Sequence, residues 1–363
     1  MKTNYLKAGF FLLAFGICLL FFEGAVNQEH IEKVRHGIKE EDYRLPPNAS
    51  ELALEYTFPT AEDEKNGIYL NSPQGFYGSN ESLIYVSDAR NNEVYIFDLF
   101  GKRLRTIGRF GQGPGEFVNP KELSSIEGML LVRDIGNSRI QFFDKVGEYV
   151  NGFRLFRAYY SLVACDGQIY GTPILPPDRR ANCLIDVLDT DGRLTRSFGA
   201  FLDVNQYDTY PLDRAYLAVG TNNELWVSFA YFPIVRKYSF GGELLNEYRF
   251  SYGIADKKDA FNNRMMAQRT KYAQLPYYYI IDAIYATDKG LYLIGSAEKR
   301  LDIILMSHDG QLEEFYWFPL DKRHACRGLL VLEEKGGPKF FALDLLSARV
   351  EVYSIKKFQG GKK

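Results

Sequence analysis

Between about Ile84 and Tyr353 the chain repeats one pattern six times: an apolar run, a polar turn, a second apolar run ending in an aromatic, a glycine turn, and a further short run. The clearest copies are Leu83 to Gly108 (LIYVSDARNNEVYIFDLFGKRLRTIG) and Leu130 to Phe153 (LLVRDIGNSRIQFFDKVGEYVNGF). Short apolar runs bounded by turn residues read as strands. Repeated at this period, they predict small antiparallel sheets that bury their faces only against one another. The turn glycine keeps the copies in register at Gly101, Gly147, Gly192, Gly241 and Gly310, with spacings of 46, 45, 49 and 69. Four-stranded propeller blades take roughly 40 to 50 residues, so six fit beyond residue 49 with one long insertion. The expected fold is all-β, a six-bladed β-propeller of four-stranded antiparallel blades.

The last unit, Leu329 to Ile355, has only three runs, and its missing strand has a donor at the other end of the chain. Glu51 to Phe58 (ELALEYTF) alternates apolar and polar residues in the period of a half-buried strand. Pairing it with the last unit closes the ring and leaves no broken blade. The predicted organisation is a signal peptide or membrane anchor over 1–25, a charged tether over 26–48, the propeller over 49–357 and a disordered tail over 358–363. Lys2 and Lys7 ahead of the uncharged run Ala8 to Phe22, ended by Glu23, read as an export signal. Cleavage, lipidation at Cys18 and retention as an anchor all stay open. An exported protein of the cell envelope, membrane-anchored through this segment, is expected.

The stretch GRFGQGPGEFVNP (Gly108 to Pro120) followed by VRDIGNSRIQFFDKVGEYV (Val132 to Val150) is similar to the NHL repeat, with its G-x-G-x-F-x-x-P entry and D-x-x-N-x-R-I-x-x-F-D-x-x-G core. The whole resembles six-bladed NHL-like and TolB-like propellers, particularly bacterial secreted ones. That resemblance implies the fold; such families include both binding platforms and enzymes, so function must come from the site. The recurring Asp88, Asn91, Asp134, Asn137 and Arg139 are expected to cap turns and tie blades together, because Asx side chains bond backbone two residues on.

Composition agrees: 26 tyrosines and 27 phenylalanines, with 46% hydrophobic residues, supply the filling that packed sheets need. The formal charge of −2 gives no case for nucleic-acid binding. Cys165, Cys183 and Cys326 are expected as free thiols, since Cys165 and Cys183 fall at opposite ends of strands two apart.

In a four-stranded meander the connection between strands two and three shares a face with the connection into the next blade. Every long insertion falls in that set: Pro173 to Asn182, Ala200 to Tyr216 and Gly253 to Ile280. Loop elaboration on one side of a rigid scaffold marks the working face. Its loops hold twenty Lys or Arg against ten Asp or Glu, a surplus of ten that would attract carboxylates, phosphates or acidic sugars. Within the last insertion, Gly253 to Gln274 reads as a helix with Phe261, Met265, Met266 and Tyr272 inward, serving either as a lid or as a plug for the channel. The candidate binding residues are Arg179, Arg180, Arg264, Arg269, Tyr277, Tyr278 and Tyr279, for an anionic or carbohydrate ligand or an envelope protein.

Catalytic signals are weak. The histidines are His30, His36, His308 and His324, and there is no G-x-S-x-G, H-E-x-x-H or C-x-x-C. The histidine-built metal site of zinc-dependent lyases among NHL-like propellers is not available from them. No cofactor, metal or catalytic residue is assigned, and a non-enzymatic binding propeller is expected. A metal-dependent lactonase of the gluconolactonase type, with ligands drawn from separate blades, and a scaffold in an envelope complex are the alternatives.

Overall fold

The computed structural model describes residues 45–79, 82–174, 183–202, 212, 214–268, 277–297, 299–320 and 326–356. These form six four-stranded blades and two helices. Strand β1 (Ser50–Phe58) and the short helix α1 (Ala61–Lys65) come first. Blade 1 is β2 (Pro73–Gly78), β3 (Leu83–Asp88), β4 (Glu93–Asp98) and β5 (Arg103–Ile107). Blade 2 is β6 (Pro120–Ile126), β7 (Met129–Asp134), β8 (Arg139–Phe143) and β9 (Tyr149–Arg154). Blade 3 is β10 (Tyr159–Cys165), β11 (Gln168–Pro173), β12 (Ile185–Leu188) and β13 (Leu194–Phe198). Blade 4 is β14 (Ala215–Val219), β15 (Glu224–Phe229), β16 (Ile234–Ser239) and β17 (Leu244–Arg249). Helix α2 (Gly253–Gln268) leads into blade 5, β18 (Ala283–Thr287), β19 (Gly290–Ser296), β20 (Arg300–Ser307) and β21 (Leu312–Pro319). Blade 6 is β22 (Cys326–Glu334), β23 (Gly337–Asp344), β24 (Arg349–Ile355) and β1.

First strands β2, β6, β10, β14, β18 and β22 contact one another in turn, with β22 against β2, so they form the inner ring. The second and third strands are largely buried on both faces because a neighbouring blade covers each face: Ile84, Val86, Val94 and Phe97 are all buried. The fourth strands meet solvent, and β5 is exposed except at Ile107. Each fully buried large apolar side chain contributes about 1.5–3 kcal/mol, so the cores lie between blades rather than within them.

The predicted closure is present. Strand β1 pairs antiparallel with β24 from Leu52 opposite Ile355 to Phe58 opposite Val350. Ser50 and Glu51 also pair parallel with Tyr316 and Trp317 of β21, so the same strand ties blade 5 to blade 6. Lys356 Nζ donates to Glu51 Oε1 at 2.7 Å beside that junction.

The glycine of each outer turn has a positive φ, with one correction to the register: in the fourth unit Gly242, at +96°, occupies the left-handed position, and Gly241 precedes it. These glycines receive a side chain of the preceding blade. Phe58 lies on Gly101, Ile107 on Gly147, Phe153 on Gly192, Phe198 on Gly242 and Tyr248 on Gly310. At Gly192, with φ +81°, a Cβ would stand 2.1 Å from a Phe153 ring carbon, so both conformation and contact require glycine there. Asp98, Asp144 and Asp189 brace their turns, each Oδ1 accepting two backbone N–H groups.

The recurring polar residues do what Asx chemistry predicts. Asp134 accepts from Val118 N, from Asn137 Nδ2 and from Arg139 Nε at 2.7–2.8 Å. Arg139 in turn donates to the carbonyls of Gln112, Gly113 and Glu116, fixing the glycine-rich connection between blades 1 and 2. Asp88 likewise takes the amides of Asn71, Ser72, Arg90 and Asn91. Cys165, Cys183 and Cys326 are free, and burial pushes the Cys165 and Cys326 thiols up to about 12.

Candidate functional site

The strand order places the described parts of the connections between blades and between second and third strands, among them 108–119, 155–158, 183–184, 199–202, 250–268 and 277–282, on one face, around the mouth of the inner ring. Arg214 sits there, directly before β14. Its guanidinium carbon lies 5.6 Å from the ring centroid of Tyr160 and 5.5 Å from those of Tyr216 and Tyr279. Its Nη1 donates to the Tyr279 hydroxyl at 3.3 Å. Tyr160 and Tyr216 are the second residues of the inner strands β10 and β14, and Tyr279 belongs to the connection entering blade 5. Three blades therefore converge on one arginine. Each cation–π contact contributes about 0.5–2 kcal/mol, and three of them hold the guanidinium in a set orientation. A planar cation so fixed is suited to a carboxylate or phosphate, with half-buried tyrosine rings beside it as stacking surfaces.

The third side of this cup is supported from beneath. Tyr231 is buried and stacks on Tyr279 at 4.7 Å, while Tyr277 meets Tyr231 edge-on at 6.1 Å. Burial, with Tyr279 alongside, pushes the Tyr231 hydroxyl well above its ordinary range. Helix α2 then clamps the segment through two polar residues. Asn262, fully buried, donates to the carbonyls of Tyr231 and Tyr278 at 3.0 and 2.9 Å and accepts from Tyr278 N at 2.8 Å. Lys258 Nζ donates to the carbonyls of Tyr279 and Ser296 at 2.7 and 2.5 Å. Burial depresses the Lys258 pKa, opposed by Asp282 and Asp302; burial raises that of Asp302, opposed by Arg300. With Ile254 and Ala255 also buried, α2 is a docked buttress of blades 4 and 5.

The expected binding residues divide accordingly. Arg179, Arg180 and Arg269 lie outside the described residues. Tyr279 reaches the cup, Tyr277 is buried below it, and Tyr278 turns to meet Phe261 edge-on at 4.8 Å. Arg264 is exposed and lies over Phe261 at 5.3 Å. Met265 and Met266 pack on the blade 4 core as expected, whereas the helix is described to Gln268 and its buried face includes the polar Lys258 and Asn262. Arg214 is one of the twenty basic residues of these loops, but neither it nor Tyr160, Tyr216 or Tyr231 is among the expected binding residues. The available signal was a tyrosine at the second position of the first run in successive repeats.

The basic surplus of this face is smaller than the loop count gives. Arg139 pairs with Asp134, Arg157 with Asp186, Arg300 with Asp302 and Arg349 with Glu64, all carboxylates outside the loops counted. His308, in an opposite-face turn, meets Glu224 Oε1 and the Asp288 carbonyl, each at 3.0 Å; His30, His36 and His324 lie outside the described residues. Among the described residues no group of three or more His, Cys, Asp or Glu could hold a metal ion, and no helix is long and apolar enough to cross a membrane. The apolar run Ala8 to Phe22 is not among them.

Comparison with known proteins supports the fold. The family model DUF5128, described as a 6-bladed beta-propeller, matches residues 78–149, most of blades 1 and 2 and the same stretch that carries the NHL-like motifs. A member of the DUF4221 family from Bacteroides vulgatus is similar at a TM-score of 0.56 and 13% identity, over 86% of this chain and 100% of that one. A Bacteroides fragilis protein whose name proposes that it is exported gives 0.53 and 13%, over 84% and 96%. Virginiamycin B lyase from Staphylococcus aureus, catalytically inactive and with quinupristin, gives 0.52 and 12%, over 84% and 100%. At these identities the likeness is one of fold. The chain is a six-bladed β-propeller with an arginine–tyrosine cup on its long-loop face.

Proposed function

We propose that this chain is a non-enzymatic binding propeller of the cell envelope, and that the Arg214 cup takes an anionic ligand with a stackable ring, such as an acidic sugar. The observation that carries the reading is the arginine held against the faces of Tyr160, Tyr216 and Tyr279 at the junction of three blades. The guanidinium supplies charge-assisted donors and the rings supply apolar contact, the combination expected where a few placed polar groups orient a ligand on an aromatic surface. The Lys-flanked apolar run at the N-terminus supports export and anchoring. Fold likeness to a lyase does not carry its chemistry here, because propeller function resides in the site.

A thermal-shift panel of galacturonic acid, acidic peptides, neutral sugars and lactones, with and without divalent cations, tests this. Acidic sugars should raise the melting temperature of the wild type and not that of Arg214→Gln, with the ligand recovered intact. Metal-dependent turnover of a lactone would instead establish the hydrolase alternative.

A further inference from the structure

Four residues before Tyr160, the connection from blade 2 into blade 3 carries Phe156, whose surface is 50% exposed. The ring is nonetheless held on two sides. The Arg157 guanidinium carbon lies 4.7 Å from its centroid, covering one face. Tyr159, buried at 2% exposure, meets it edge-on at 6.5 Å and 90°. Behind both stands Asp186, itself 1% exposed: its Oδ2 pairs with Arg157 Nη1 at 3.2 Å and accepts from the Tyr159 hydroxyl at 3.2 Å, while Oδ1 accepts from Ser197 Oγ at 2.7 Å.

An exposed phenylalanine gains little from folding, yet here a buried carboxylate, an arginine and a tyrosine fix its orientation. Such an arrangement lowers the ordering cost of binding, and rigid aromatic anchors of this kind dominate recognition energetics. Phe156 and Tyr160 are four residues apart, with the chain bent at Phe156 and Arg157, so the platform and the cup stand at most ~13 Å apart along it. A short linear oligosaccharide can reach across a span of up to that length.

We infer that Phe156 is a second stacking subsite and that the ligand is an acidic oligosaccharide lying across Phe156 and the Arg214 cup together. The inference rests on the binding reading above and adds ligand length and class to it. Isothermal titration of galacturonic acid and its linear tetramer into the wild-type chain, Phe156→Ala and Phe156→Tyr tests it. The wild type should bind the tetramer at least tenfold more tightly than the monomer. Phe156→Ala should lose about tenfold for the tetramer, the loss of one good aromatic contact, and stay within twofold for the monomer. Phe156→Tyr should retain tetramer binding, and an unchanged melt in all three proteins excludes misfolding. Equal wild-type affinity for monomer and tetramer, or a Phe156→Ala variant that binds the tetramer normally, overturns the second subsite while the cup stands. Binding of a tetraglutamate peptide in place of the tetramer overturns the saccharide class, and binding of none of these overturns both readings.

Discussion

The contact between Phe153 of blade 2 and Gly192 of blade 3 predicts a coupling that a double-mutant cycle can read. Gly192→Ala meets two costs. Its φ of +81° puts an L-residue in the left-handed region, about 1–2 kcal/mol. Its Cβ would approach three Phe153 ring atoms to 2.1–2.6 Å, an overpacking cost of about 1–3 kcal/mol. Phe153→Ala alone removes a half-buried ring that packs on Phe142 at 6.0 Å, costing roughly 2 kcal/mol. In the double variant the clash disappears, leaving the backbone cost and the loss of the Phe153 ring, so it should be about 1–3 kcal/mol more stable than the sum of the singles. For a ring of about 300 residues, an unfolding entropy of ~2.1 cal/mol/K per residue converts each kcal/mol into roughly 1.5 °C. Scanning calorimetry on the four proteins should show Gly192→Ala melting roughly 3–7 °C low and the double variant melting roughly 1.5–4.5 °C above the sum of the two single shifts. Additivity within about 0.5 kcal/mol would refute the argument that the outer strand of each blade is seated on the turn glycine of the next.

Other outcomes follow from the same geometry. Deleting residues 49–60 strips Leu52 and Phe58 from the closing strand and should lower the melting temperature by roughly 5 °C or more, read by circular dichroism; an unchanged melt rejects the closure. Lys258→Met leaves the Tyr279 and Ser296 carbonyls without their buried donor and should cost about 2–4 kcal/mol in urea denaturation. With its folded pKa raised from 9.0 to about 12, the Cys165 thiol keeps a proton that the unfolded chain releases sooner. Its contribution to stability is therefore whole below pH 9 and falls as pH rises from 9 toward 12, so the advantage of wild type over Cys165→Ser should narrow across that window. Peptide-resolved alkylation at pH 8 should leave Cys165 and Cys326 unlabelled in the native protein and label both in denaturant.

The ring was legible because blade packing imposes a period: alternating apolar runs, turn glycines and Asx caps recur wherever the same local contact recurs. Even the three-run last unit, with Glu51 to Phe58 as its complement, could be read this way. The register slip from Gly241 to Gly242 arose where two adjacent glycines offered the same composition and only the backbone dihedral distinguishes them. Which connections share a side was legible too, since meander topology assigns each connection to a face. The cup was not, because Tyr160, Arg214 with Tyr216, and Tyr279 come from three successive units and meet only when neighbouring blades pack. Lys258 and Asn262 were not legible for a related reason: a polar residue on an amphipathic helix reads as solvated, and the backbone carbonyls these two meet come from the turn between β15 and β16, the connection into blade 5 and the end of β19.

The most direct test is titration of the galacturonic acid tetramer into wild-type protein and Arg214→Gln at 0.1 M and 1 M salt, with chromatography of the recovered ligand. A guanidinium that recognises a carboxylate predicts binding weakened in the wild type as the Debye length shrinks from about 10 Å to about 3 Å, an affinity at least tenfold lower and little dependent on salt in Arg214→Gln, and an intact tetramer throughout. Equal affinity of the two proteins at both salt concentrations, or cleavage of the tetramer, would contradict it.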